Sequence, residues 1–229
     1  MTENPVSKAL AERRAIRRYR PDPVPEEVIR EILADARWAP SATNTQTTYV
    51  YVLSGDALAR FKADLRDYAE RDVPEAPDLG PRVPLPERFQ KRQEELFRAR
   101  MEFIAAEEAK MGIQPQTSPV PPAVAGAELF GAPHLLVLAI PRDVGQAYAL
   151  FDAGLFAQSL CLAAHARSLG TCITGSNVRY PDLLRKVLPN TEDKLFVVAI
   201  TLGYPDWEAP INRFPRTRIP VDEFAVFVS

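Results

Sequence analysis

A chain of 229 residues, 46% of them hydrophobic, is long enough to bury a substantial core, and its formal net charge of −2 provides no basic field with which to gather nucleic acid. Two histidines and two cysteines, Cys161 and Cys172, without Cys-x-x-Cys spacing, argue against a zinc site or a disulfide framework and fit reduced, buried thiols in the cytoplasm. The first ten residues lack the apolar run of a signal peptide, and the most apolar stretch, 147–169, is interrupted by Asp152, Gln158, His165 and Arg167, so no membrane span is expected.

In chain order, residues 7–14 begin helically and end on an arginine cluster, and 19–25 read as an extended connection held by Pro21, Pro23 and Pro25. Val28, Ile29, Ile32, Leu33 and Ala36 recur at helical spacing over 26–38, with Glu26 and Glu27 at the positive end of the dipole. A strand is expected at 49–53, closed by Ser54-Gly55-Asp56, which open a helix running to about Tyr68. Prolines at 74, 77, 81, 84 and 86 exclude regular structure between 71 and 86. A long helix follows over 87–111, where Phe89, Leu96, Phe97, Met101, Ile104 and Ala105 predict one buried stripe on a charged surface helix, and a second proline-rich stretch occupies 115–122. The runs 134–140 and 195–202 are apolar almost throughout, as strands covered on both faces require. Between them, 147–169 reads as a helix apolar nearly all round, suited to a core or a subunit interface. No internal repeat is visible. The spacings Gly126-x-x-x-x-Gly131 and Gly170-x-x-x-x-Gly175 lack the Lys-Ser/Thr of a phosphate loop, and Gly-x-Gly-x-x-Gly does not occur, so a separate dinucleotide domain is not expected.

The informative segments are polar. Pro40 stops the 26–38 helix, and Ser41, Ala42, Thr43, Asn44, Thr45 and Gln46 then offer short side chains and free backbone N–H groups to a flat polar ligand. One cationic cluster, Arg13-Arg14-Ala15-Ile16-Arg17-Arg18-Tyr19, lies upstream, and a second, Asn212-Arg213-Phe214-Pro215-Arg216-Thr217-Arg218, lies near the C-terminus. Taken alone, either cluster is ordinary solvated surface and the loop is a helix cap. Guanidinium groups from two separated clusters, however, suit a phosphate, because each planar fork makes paired charge-assisted hydrogen bonds.

With these residues, together with Gly170–Asn177, the strand and turn at 199–205 and the Pro220-Val221-Asp222-Glu223-Phe224 segment, the chain resembles the nitroreductase family of FMN-dependent oxidoreductases over nearly its whole length. The resemblance implies an α+β fold: one domain over 1–229, a mostly antiparallel sheet wrapped by helices, an intertwined homodimer, and a helical, proline-rich excursion at about 71–125 that covers the cofactor. It implies that Arg13, Arg14, Ala15, Arg17, Arg216 and Arg218 surround the FMN phosphate. Pro40, Ser41, Ala42, Asn44 and Gln46 would hold the ring across the dimer interface, and Gly175, Ser176 and Asn177 would lie along its other side, Ser176 donating toward N5. Ala15 stands where the family usually has Ser, and Thr47-Thr48 where it usually has Pro-Trp, which concerns the packing behind the loop. The residues at 224–228 look like an arm that crosses to the partner, and Phe89, Phe97, Phe103 and Phe130 are candidate pocket walls whose default is core packing. The implied activity is NADPH- or NADH-dependent reduction of nitroaromatic or quinone acceptors by a ping-pong cycle, with no metal, the flavin rather than any side chain carrying the chemistry. Alternatives on the same scaffold are reductive dehalogenation, oxygen-dependent flavin breakdown, an FMN store or sensor without efficient turnover, and a flavinless relative.

Overall fold

The computed structural model describes residues 4–113 and 121–228; most of the proline-rich stretch at 115–122 lies outside them. Four strands, β1 (Tyr49–Leu53), β2 (His134–Pro141), β3 (Gly170–Thr174) and β4 (Lys194–Gly203), form one sheet in the order β1-β2-β4-β3. Every neighbouring pair is antiparallel. The long helices are α1 (Pro5–Glu12), α2 (Glu26–Ala36), α3 (Gly55–Glu70), α4 (Glu87–Lys110) and α6 (Gln146–His165), with the short α5 (Pro122–Gly126), α7 (Pro181–Val187) and α8 (Pro210–Arg213) between and after them.

The sheet is buried on both faces, which is why β2 and β4 carry no polar alternation. Leu135, Val137 and Ala139 of β2 point to one core with Phe61 and Leu65 of α3 and Leu183 and Leu184 of α7. Leu136 and Leu138 point to the other, with Ile29 and Ile32 of α2 and Leu160, Cys161 and Ala164 of α6. A register shift between Leu138 and Ala139 places Phe196 opposite Ala139 while Ala199 stays opposite Val137. The bulge therefore puts two residues three apart on one face, where a strict period of two would separate them.

Two expectations need correction. The stripe on α4 is not buried: none of its residues is, and Phe89, Leu96, Phe97 and Met101 are exposed, because among the described residues the helix packs mainly toward its C-terminal end, where Phe103 meets Phe214 edge-on at 5.7 Å and Glu107 lies 3.6 Å from Arg213. Phe130 fits its default, packing with Ile16, Tyr19 and Ala132. The interruptions in α6 do not disqualify it as a span by length and composition alone. Its small residues Ala149, Ala153, Ala157, Ala163 and Ala164 instead let one face dock closely on the sheet, and Asp152 is buried against a protein backbone rather than facing lipid.

His134 ties the start of β2 to the extended segment before α2, its Nε2 accepting from the Val24 N–H at 2.9 Å. Burial lowers its pKa, and Nδ1 has no hydrogen-bond partner. The folded state thus holds this imidazole neutral, whereas the unfolded chain protonates it below about pH 6.5. The associated stability is fully present above that value and is lost as the pH falls toward the depressed folded pKa. Thermal unfolding followed from pH 7.5 to 5.5 is expected to show a decline that His134→Gln flattens; an equal decline in both proteins would exclude the histidine as its source.

Candidate cofactor and substrate site

The arginine segment is seated on the sheet by its apolar members. Ile16 and Tyr19 are buried, while Arg13, Arg14, Ala15 and Arg17 are half-buried and Arg18 is exposed. The Ile16 N–H donates to the Thr171 carbonyl at 2.9 Å, and Ala15 and Thr171 form a parallel bridge at the open edge of β3. This close approach depends on Gly170 and Gly203, register partners at the ends of β3 and β4. A Cβ on Gly170 would sit 2.6 Å from Ile16 Cγ1, and one on Gly203 would sit 3.0 Å from Tyr19 Cδ1. Tyr19 also shares a 2.8 Å hydrogen bond with the Thr201 hydroxyl, and burial raises its phenol pKa well above the ordinary range.

The C-terminal arginine segment is held against the first by Asn212, which is fully enclosed. Its amide donates to the carbonyls of Arg18 and Asp206 at 2.7 Å each, its side-chain oxygen accepts from the Arg17 N–H at 2.8 Å, and its carbonyl accepts from Arg14 Nη1 at 3.0 Å. Arg216 then donates to the carbonyls of Ala11 and Arg13. Burial lowers the Arg216 pKa first, and the positive charges of Arg14, Arg218 and Arg13 lower it further. The guanidinium groups expected around one anion are thus together. Arg100, from the half-buried part of α4, joins them: burial and then the charge of Arg17 lower its pKa. Among the described residues none of Arg13, Arg14, Arg17, Arg100, Arg216 and Arg218 has a carboxylate partner, and Arg13 Nε is buried without a hydrogen bond. Beside the segment a cleft of about 280 Å³ is lined by Glu12, Arg13, Arg14, His165, Thr171 and Trp207; there Glu12 is engaged with His165 at 3.7 Å.

The polar loop sits elsewhere on the chain. Thr43, Asn44 and Gln46 all take left-handed φ values, 48°, 60° and 51°, a costly geometry for residues with a Cβ. It is held by Asp152 of α6, whose two carboxylate oxygens accept from the Ala42 N–H at 3.2 Å, and by Ser41 Oγ, which accepts from the Gln46 N–H at 3.0 Å. Pro40 and the Asn44 and Gln46 side chains remain exposed, and behind them the Thr47 hydroxyl is buried without a partner, where the family pattern has Pro-Trp. Among the described residues no hydrogen bond or ion pair links this loop to the arginine cluster.

Past the end of β3, Gly175–Val178 makes a 3₁₀ turn in which Gly175 and Ser176 are exposed. Asn177 faces inward instead, its amide donating to Thr174 Oγ1 at 2.8 Å, so it shapes the turn rather than presenting a side chain. Asp152, Asn212 and Arg100 were not singled out from sequence as site residues. The available signals were a carboxylate within an apolar helix, an asparagine at the head of an arginine run, and an arginine in the part of α4 that packs.

Several known proteins resemble this chain. The model of the nitroreductase family matches residues 10–204. A 4-nitrobenzoate reductase of Pseudomonas putida is 33% identical over 218 residues, 90% of this chain and 89% of that protein. The nitroreductase NfnB of Mycolicibacterium smegmatis is 34% identical over 209 residues, 89% of this chain and 85% of that protein. The crystal structure of the FMN-dependent nitroreductase NfnB from Mycobacterium smegmatis in complex with NADPH matches with a TM-score of 0.83 at 28% identity, over 98% of each chain. A seated arginine segment, a second cationic segment clamped to it, a polar loop after α2 and an antiparallel four-stranded sheet occur here in a chain that belongs to the nitroreductase family.

Proposed function

We propose that this protein is an FMN-dependent NAD(P)H oxidoreductase that reduces nitroaromatic or quinone-type acceptors in a ping-pong cycle, as a homodimer. The observation that carries the reading is the cluster of guanidinium groups without carboxylate partners, Arg13, Arg14, Arg17, Arg216 and Arg218, which is electrostatically incomplete until an anion joins it. The donor set fits the phosphate of FMN, with half-buried forks at Arg13, Arg14, Arg17 and Arg216, an exposed one at Arg218 and a buried Arg13 Nε with nothing to donate to, while Ala15 adds no hydroxyl. FMN held by these residues would supply two-electron redox chemistry between NAD(P)H and an oxidised acceptor.

The chain's own residues bind and orient. Pro40, Ser41, Ala42, Asn44 and Gln46 form a loop fixed by Asp152 whose exposed amides suit the edge of a heteroaromatic ring. Because among the described residues this loop has no bond to the arginine cluster of its own chain, a ring held by both groups is best served by two copies. The exposed face of α6, with Tyr148 at 71% and Phe151 at 65%, and the bare apolar tail at Phe224, Val226, Phe227 and Val228 suit such a partner. On the other side of the ring, Gly175 and Ser176 offer a turn without bulk, held by Asn177. The buried, free Cys161 and Cys172 agree with a reducing cytoplasm.

The test is an anaerobic absorbance titration of the purified protein at about 450 nm, where oxidised flavin absorbs. The band is expected to bleach on addition of NADPH or NADH and to recover on addition of a nitroaromatic. A band that neither reductant bleaches would replace this reading with flavin storage.

A further inference from the structure

We propose that Arg82 is a specificity-determining residue that selects acceptors carrying a carboxylate, through a guanidinium that lies beside Gly175. The inference rests on the preceding reading, in which the Gly175–Ser176 turn lies along the flavin ring.

The geometry begins at Asp78, whose side chain is 8% exposed in the irregular segment before α4. Its carboxylate accepts from Arg185 Nη2 at 2.7 Å and from the Phe196 N–H at 2.9 Å, and lies 3.5 Å from Arg142. Two further bonds fix the same segment to the body: the Ala76 N–H donates to the Arg179 carbonyl at 3.0 Å, and the Tyr180 hydroxyl to the Val73 carbonyl at 2.7 Å. The chain then turns through Gly80 at φ +83°, whose N–H donates to the Pro77 carbonyl. Pro81 fixes its own φ and Pro84 restricts Val83, so the residues flanking Arg82 are held. A proline-rich excursion that composition alone marks as irregular is thus a stiff arm with a fixed root.

At its end, Arg82 Nη2 lies 3.0 Å from where a Cβ on Gly175 would stand. Glycine at 175 leaves that space to the guanidinium. Of the nearby carboxylates on this arm, Asp78 is engaged with Arg185 and Glu75 with Arg179, and among the described residues Arg82 has no carboxylate partner. A cation so placed, exposed and unpaired beside the turn, meets an anionic group on whatever small molecule enters there. The two sources are a carboxylate on the acceptor and a phosphate of the reductant. We assign it to the acceptor because the phosphate-type cluster on the page, around Arg13 and Arg216, is built from converging forks, whereas Arg82 is a single fork suited to one planar carboxylate.

The experiment compares 4-nitrobenzoate with 4-nitrotoluene, which keeps the ring and the nitro group and lacks the charge, in the holoenzyme and its Arg82→Gln and Arg82→Lys variants. In Arg82→Gln the ratio of kcat/KM for the acid to that for the neutral compound is expected to fall about fivefold, mostly through KM, as suits an exposed charge pair. The dissociation constant of 4-nitrobenzoate for the oxidised holoenzyme, read from the perturbed flavin spectrum without reductant, should rise by the same factor, and Arg82→Lys should recover part of the loss. An unchanged ratio, or equal losses on both acceptors, overturns the assignment. A defect confined to flavin reduction by NADPH, with NADH unaffected, overturns it in favour of a reductant phosphate. If the unmodified enzyme binds FMN and reduces neither acceptor, the function proposed above fails and this inference with it, whereas its turnover of 4-nitrotoluene keeps the two failures apart.

Discussion

Replacing Arg216 and Arg218 together by alanine is expected to weaken FMN binding by at least about 100-fold, since each charge-assisted hydrogen bond contributes roughly 1.5–3 kcal/mol. Riboflavin, which presents the same ring without the phosphate, should bind the double variant and the parent alike. That contrast separates loss of phosphate recognition from general damage. The flavin-free variant should unfold close to the parent temperature, because two opposing changes accompany the loss. Arg216 gives up its bonds to the Ala11 and Arg13 carbonyls, while Arg13 and Arg14 are relieved of the neighbouring Arg216 charge. Fluorescence-quenching titrations with the two ligands make the measurement. An FMN-to-riboflavin affinity ratio equal to the parent's would remove these residues from the phosphate site.

The second large effect is expected from the smallest substitution. In Gly170→Ala the new methyl group would stand 2.6 Å from Ile16 Cγ1 and 2.9 Å from Pro205 Cγ. Ile16 cannot slide freely, because its N–H is bonded to the Thr171 carbonyl and its side chain is fully buried. Overpacking of this kind costs about 1–3 kcal/mol, roughly 2–10 °C in melting temperature for a chain of this size. The segment that must yield carries Arg13, Arg14 and Arg17, so FMN affinity should fall by about tenfold or more as well. Gly126→Ala is the control, since a Cβ there meets nothing within 4 Å. Differential scanning calorimetry and flavin titration on both variants decide the matter: if Gly170→Ala behaves like Gly126→Ala, Gly170 does not hold the arginine segment in place.

How far the sequence carried these conclusions depended on the range of the forces involved. Elements fixed by local periodicity were legible: the long charged helix expected over 87–111 is α4, Glu87–Lys110, and the strand expected at 49–53 is β1. The two-sided sheet was legible too, since 134–140 and 195–202 lack any polar alternation. The burial of α4 was not. Its apolar positions predict a stripe, but a stripe names no partner, and within its own chain little packs against it. Also hidden were the polar hubs, whose partners are remote in sequence: Asp152 accepts from Ala42, Asn212 from Arg17, and Asp78 from Phe196. Composition marks such residues only as exceptions, a carboxylate in an apolar run or an acid among prolines, and gives no means of pairing them. The arginine clusters were legible as candidates because their meaning lay in number and type. Their convergence depended on two glycines whose missing side chains become informative only when another segment is seen lying across them.

Because β3 stands last in the sheet order and the arginine segment pairs with it only near Thr171, its outer edge beyond that residue carries main-chain groups with no neighbouring strand. Such an edge is a template for unwanted strand addition between molecules. This one is kept short, five residues in all, closed at its start by the Ala15 bridge and at its end by the turn at Gly175. Shortness, one bridge and a turn are thus what keep this edge from serving as a template.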